Sequence, residues 1–108
     1  MARKKLETLS EQMYYILLCL WDGPMHGYRI MQHAAQLTQG RVVIGAGTLY
    51  ALLARFEEEG CIRLCGMAEG RKSYELTPDG RALLEAEFQR LQRQVADGAQ
   101  FLGKGNGT

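Results

Sequence analysis

Apolar positions along this chain change their period several times, and each change marks an element. Leu9, Met13, Ile16, Leu17 and Leu20 recur at steps of three and four, which is one face of a helix. Thr8-Leu9-Ser10-Glu11 in front of them has the form of a capping box, with Thr8 at the cap and Glu11 reaching back. Asp22-Gly23-Pro24 ends that helix. A second helical face, Ile30, Met31, Ala34 and Leu37, predicts a helix from about His26 to Thr38, stopped by Gln39-Gly40. Arg41-Val42-Val43-Ile44 is β-branched and short, an extended link or a small strand. Gly45-Ala46-Gly47-Thr48 opens a third helix whose inner face is Leu49, Leu52, Leu53 and Phe56. The acidic run Glu57-Glu58-Glu59 closes it as a solvated end, and Gly60 caps it.

The period then drops to two. Cys61–Cys65 and Ser73–Leu76 alternate, with Ile62 and Leu64 matched to Tyr74 and Leu76, so they predict a hairpin whose tip is residues 66–72. Thr77-Pro78-Asp79 is a strong helix start: a capping hydroxyl, proline at the first position, an acid in the first turn. The helix it opens runs to about Phe101, with a break at Gly98, and residues 103–108 read as a disordered tail. Helix, helix, helix, hairpin, long helix is the plan of a mostly α winged helix-turn-helix. The division expected is residues 1–76 for the DNA-binding unit and 77–102 for a dimerisation helix of the same compact body.

In such a fold the third helix enters the major groove by its N-terminal end. Thr48, Ala51 and Arg55 fall on a different face from the apolar one, at spacings of three and four. Gly47 leaves bare backbone at the helix start, and Tyr50 beside it can donate its hydroxyl to a phosphate. Arg71 and Lys72 give the wing a basic tip, and Arg3, Lys4 and Lys5 form a candidate arm. Each feature also has a plainer reading: a turn, a packed ring, or solvated charge. Their joint placement where a winged helix meets a duplex favours DNA.

On the last helix Leu84, Phe88, Leu91, Val95 and Leu102 are spaced by four, three, four and seven. A stripe roughly 36 Å long outlasts one small core, so it predicts the same helix of a second copy, with a fold-back onto its own domain as the alternative. Two-fold pairing suits pseudo-palindromic half-sites roughly 34 Å apart. Leu6, Leu9, Tyr14 and Tyr15 can pad that interface.

Composition narrows the chemistry. Thirteen basic and twelve acidic residues leave a net charge of +1 in 108 residues, so nucleic-acid contact must come from where charge sits and not from its sum. No apolar run is long enough for a membrane span, and no signal peptide is recognisable. Three cysteines are an odd and sparse set, read as reduced thiols in a cytoplasmic protein. Cys61 and Cys65 would lie about 13 Å apart on a strand, and His26 and His33 lack ligand spacing, so neither a metal nor a cofactor is expected. No nucleophile elbow, phosphate loop or carboxylate pair beside a histidine appears, and an enzyme is not expected.

Met13-Tyr14-Tyr15-Ile16-Leu17-Leu18, Gly23-Pro24-Met25-His26-Gly27-Tyr28-Arg29-Ile30-Met31, Gly45-Ala46-Gly47-Thr48-Leu49-Tyr50-Ala51-Leu52-Leu53, Glu59-Gly60-Cys61-Ile62 and Tyr74-Glu75-Leu76-Thr77-Pro78-Asp79-Gly80-Arg81 together resemble the PadR family of bacterial transcriptional regulators. The resemblance covers roughly residues 8–95. It implies a homodimeric repressor of the short, single C-terminal-helix subgroup, with Gly47, Thr48, Leu49 and Tyr50 opening the recognition helix and Arg71 and Lys72 on the wing. His26, Gly27 and Tyr28 open the helix before it, and Tyr28 joins the DNA-facing set. The family often has proline at the place of Ala46 and an aromatic residue at that of Ser73. Many members respond to small aromatic or drug-like compounds. Here the candidate walls for such an effector are Tyr15, Trp21, Phe88 and Leu91. A winged helix that binds only protein, and a thiol-based redox sensor using Cys61 or Cys65, are the competing functions.

Overall fold

The computed structural model describes residues 6, 8–68 and 70–103, so the expected basic arm and nearly all of the expected tail lie outside the described residues. Its elements are α1 (Glu11–Cys19), β1 (Met25–His26), α2 (Gly27–Leu37), α3 (Ala46–Glu58), β2 (Ile62–Ala68), β3 (Arg71–Leu76), α4 (Pro78–Gly98) and a final π-turn (Ala99–Gly103).

The capping hydroxyl of α1 is Ser10, not Thr8: its Oγ accepts from the Met13 amide at 3.2 Å. The helix thus starts two residues later than a box capped by Thr8 requires. The α2–α3 turn is fixed by one hydroxyl. Thr38 Oγ1 donates to the Ala34 carbonyl at 2.8 Å and accepts from the Val42 amide at 3.0 Å. The link that follows stays extended without pairing; Val42 and Ile44 point inward and Val43 outward. α3 ends in a Schellman pair: Cys61 N–H to Phe56 O at 2.8 Å and Gly60 N–H to Glu57 O at 3.1 Å. The pair requires the left-handed φ of +80° that Gly60 adopts.

The expected hairpin register is present, with Ile62 opposite Leu76 and Leu64 opposite Tyr74. Two features differ. The strands extend further than the alternation suggested, pairing Met67 with Lys72 and Ala68 with Arg71, so both wing cations stand on a strand and not in a loop. A bulge at Cys65 shifts the register between Leu64 and Gly66 and absorbs the break in alternation. The sheet also has a third strand, β1, in the order β1-β3-β2, pairing Met25 with Tyr74 and His26 with Ser73. It ties the base of the wing to the start of α2.

The core is one cluster in which Ile16, Leu17 and Leu20 of the α1 segment meet Ile30 and Ala34 of α2, Leu49, Leu53 and Phe56 of α3, and Ile62, Tyr74 and Leu76 of the sheet. α4 is joined to it at a tight corner. Thr77 N–H donates to the Cys61 carbonyl at 3.0 Å, and Thr77 Oγ1 donates to the Gly60 carbonyl at 2.6 Å and accepts from Gly80 N–H at 3.0 Å. A Cβ on Gly80 would collide with the Cys61 carbonyl, so this corner admits only glycine. Beyond it α4 projects. The radius of gyration is 15.9 Å, where a compact chain of this length has about 13 Å.

Candidate nucleic-acid interface

Three elements meet on one side of the molecule: the start of α2, the first turns of α3, and the wing. His26 caps α2, its Nδ1 accepting from the Arg29 amide at 3.2 Å. Gly27 follows it and is buried, because the Tyr50 ring of α3 lies on it. A Cβ there would stand 2.8 Å from the Tyr50 hydroxyl oxygen and 2.9 Å from Cε1. The two short motifs, His-Gly-Tyr and Gly-Thr-Leu-Tyr, are therefore halves of one contact. Tyr28 comes next, and the Arg71 guanidinium of the wing stacks over its ring at 5.4 Å.

Tyr28, Tyr50, Arg71 and Lys72 line a common cavity of about 410 Å³, together with His26, Gly27, Gly70 and Tyr74. Four of the eight residues expected to face DNA thus converge in space. The other four, Gly47, Thr48, Ala51 and Arg55, are exposed along α3, whose N-cap is Gly45 with no side-chain cap. The amides of that first turn are left for an outside acceptor. His26 and Gly27 were legible only as part of a familiar motif; the cap and the close approach are their physical reasons. Tyr74, expected only as a paired hairpin position, is buried with its phenol pushed upward, chiefly by burial and then by Glu57 and Tyr50.

The opposite side of the chain is different in kind. The expected seam on α4 divides. Leu84 is buried in the chain's own core and so is not part of an outward stripe. Leu91 is half-buried, and Phe88, Val95 and Leu102 are exposed, with Phe101 beside them. Between α1 and α4 runs a groove of about 330 Å³ lined by Tyr14, Leu18, Trp21, Leu84 and Phe88. It adjoins a second of about 390 Å³ lined by Tyr14, Phe88, Leu91 and Val95. Of the four candidate effector walls, Trp21, Phe88 and Leu91 lie here. Tyr15 does not: it is turned toward Arg41, whose Nη2 donates to its hydroxyl at 3.0 Å, and Tyr14 takes its place in the groove. Trp21 is held from outside by Arg81, which stacks on the indole at 4.5 Å and donates to the Trp21 carbonyl at 2.9 Å.

Glu87, one turn beyond Leu84, was not anticipated. It is buried, and its carboxylate accepts from Arg90 at 2.7 and 2.9 Å and from the Leu9 amide at 2.7 Å. The paired hydrogen bonds from Arg90, aided by the Leu9 amide, hold it below the ordinary carboxylate range although burial pushes the other way. A charged residue inside an apolar stripe is the only sequence signal of this link.

The sequence model of the transcriptional regulator PadR-like family matches residues 16–86, a span from mid-α1 through the wing into the buried part of α4. The chain belongs to this family. Among solved structures, a transcriptional regulator from Clostridium thermocellum is 27% identical with a TM-score of 0.74, covering 82% of this chain and 90% of that one. PadR of Bacillus subtilis in complex with operator DNA is 25% identical with a TM-score of 0.64, covering 70% of this chain and 45% of that one. A curated relative, an uncharacterized 37.1 kDa protein in transposon TN4556 of Streptomyces fradiae, is 38% identical over 88 residues. The match covers 82% of this chain and about a quarter of the length of that relative.

The remaining chemistry is sparse. Among the described residues no group of three or more His, Cys, Asp or Glu side chains is placed to hold a metal, and no helix is long and apolar enough to cross a membrane. None of the three cysteines is in a disulfide. Burial pushes the Cys19 thiol up to about 11, and Cys65, at the bulge, is also raised, by burial and then by Glu75. Both shifts lower the thiolate fraction on which redox sensing depends.

Proposed function

We propose that this chain is a homodimeric, sequence-specific DNA-binding repressor acting in the cytoplasm on a pseudo-palindromic operator and released by a small aromatic or hydrophobic effector. The observation that carries the reading is the convergence of Tyr28, Tyr50, Arg71 and Lys72 on one cavity beside the exposed start of α3. Thr48, Ala51 and Arg55 read base edges in the major groove, Gly47 offers its amide to a phosphate, and the wing tracks the backbone. The B. subtilis relative that carries the same fold was captured on operator DNA, which supports the choice of partner.

Residues 1–76 are the reading unit, and the helix beginning at Thr77-Pro78 is the joint between copies. Phe88, Leu91, Val95 and Leu102 supply its apolar face. The effector occupies the groove between α1 and α4, with Trp21 and Phe88 as walls. Trp21 is the chain's single tryptophan, so its fluorescence reports on that groove directly.

Gel shift with DNA from upstream of the coding region, repeated in rising salt, tests the reading. Lys72→Ala is expected to weaken binding on every sequence and to lower the slope of log K against log salt by about 0.9. Thr48→Ala is expected to change preference at one base position by about 1–3 kcal/mol and leave the others alone. A slope unchanged by Lys72→Ala, or uniform loss across sequences for Thr48→Ala, contradicts the assigned roles.

A further inference from the structure

We propose that Tyr28 is a positioning residue for DNA binding: it holds the Arg71 guanidinium over the cavity between wing and α3, where Arg71, Lys72 and the Tyr50 hydroxyl together seat one backbone phosphate. This rests on the DNA-binding reading above and adds an order of action among its residues.

The chemistry of the cavity selects an anion. Its lining brings two cations and two half-exposed phenols, 49% and 50% accessible for Tyr28 and Tyr50, and no carboxylate among the described lining residues. The one lining imidazole nitrogen that could accept, His26 Nδ1, is engaged by the Arg29 amide. Arginine and lysine donate but cannot accept, and a phenol donates its proton to a charged oxygen in preference to a neutral one. A phosphodiester supplies the acceptor that these donors lack.

Three separate elements build the seat, and two aromatic contacts set their spacing. Tyr50 lies with its ring on Gly27, which sets the start of α2 against α3. Arg71 is the first residue of β3, paired with Ala68 at the tip of the wing. An arginine there carries several free torsions, and ordering them when DNA arrives would weaken binding. The Tyr28 face at 5.4 Å restrains the guanidinium beforehand without using its hydrogen-bond donors. Tyr28 therefore acts through Arg71 and does not need its own hydroxyl.

The test is a set of anisotropy titrations on a labelled duplex of about 30 base pairs of mixed sequence, at salt between roughly 50 and 200 mM. The proteins are wild type, Tyr28→Phe, Tyr28→Leu, Arg71→Ala and the double variant Tyr28→Leu/Arg71→Ala. Tyr28→Phe keeps the ring and is expected to restore most of the binding that Tyr28→Leu loses. Tyr28→Leu removes it and is expected to bind roughly two- to fivefold more weakly. In the Arg71→Ala background the same change is expected to have no effect. Equal binding by Tyr28→Leu and Tyr28→Phe overturns the proposal, and so does an equal loss from Tyr28→Leu with and without Arg71. Thermal unfolding accompanies each titration, and Tyr28→Met replaces Tyr28→Leu should the latter melt early. A wild-type chain that binds no duplex at low salt overturns the DNA reading itself, and this inference with it.

Discussion

The two halves of α4 have the same apolar spacing and opposite surroundings. In the first half, Gly80 presses on the Cys61 carbonyl, Leu84 is 3% exposed and Glu87 is 2% exposed with every carboxylate oxygen engaged. In the second half, Val95 is 72% exposed, and Leu102 in the π-turn that follows is 79% exposed. A period of three and four identifies a helix face. It does not say whether that face is covered by the chain's own core or by something else. The extent of the covering domain decides that: Leu84 lies in the core cluster, and Val95 does not.

The largest effect expected from this contrast is on stability. Leu84→Ala should cost about 2–5 kcal/mol in denaturant unfolding, since it opens a cavity in a closed core. Val95→Ala, four residues after the half-buried Leu91, should cost well under about 1 kcal/mol in the dissociated chain. Similar losses from both substitutions would erase the distinction between the halves.

Glu87 gives a smaller and pH-dependent effect. Its folded pKa is held below its unfolded value, so its contribution is fully present above the unfolded carboxyl range and is lost as pH falls through the lowered folded value. Glu87→Gln should cost about 1–3 kcal/mol near neutrality, with the gap to wild type closing below about pH 4. A gap that stays constant with pH would show that burial, and not the charge-assisted link from Arg90 and Leu9, governs this position.

The smallest effect concerns the start of α3, which is exposed like the distal half of α4 but for a different purpose. Ala46 is the first helical residue and follows Gly45 in extended backbone, with φ −73° and ψ 156°. Proline fits at that position and after such a residue. Ala46→Pro should therefore stabilise the fold by about 0.4–1 kcal/mol, read as a rise in melting temperature. A fall would mean that the Ala46 amide has a partner that proline removes.

Much of the fold was legible because its signals are repeated. The wing register follows from two alternating runs that match only one way, and Thr77-Pro78-Asp79 states a helix start three times over. β1 was not legible, since two residues have no period. Thr8 and Ser10 both precede Glu11 as capping hydroxyls, and the choice between them depends on where Glu87 holds the Leu9 amide, which is a contact across 78 residues. Tyr14 and Tyr15 are adjacent aromatics, and only the position of Arg41 decides which one enters the groove. The expected DNA-facing residues were named one at a time; that Tyr28, Tyr50, Arg71 and Lys72 share a cavity required β1 and the Gly27–Tyr50 contact to bring them together.

The central claim is that the uncovered half of α4 joins two copies so that two α3 helices meet one duplex. Sedimentation of the protein with an operator-containing fragment measures this directly, with wild type and Leu91→Glu compared. The account predicts two chains on each duplex for wild type, and a monomer with at least about tenfold weaker binding for Leu91→Glu, whose charge has no partner in a joint. One chain per duplex, or a Leu91→Glu dimer of undiminished affinity, would contradict it.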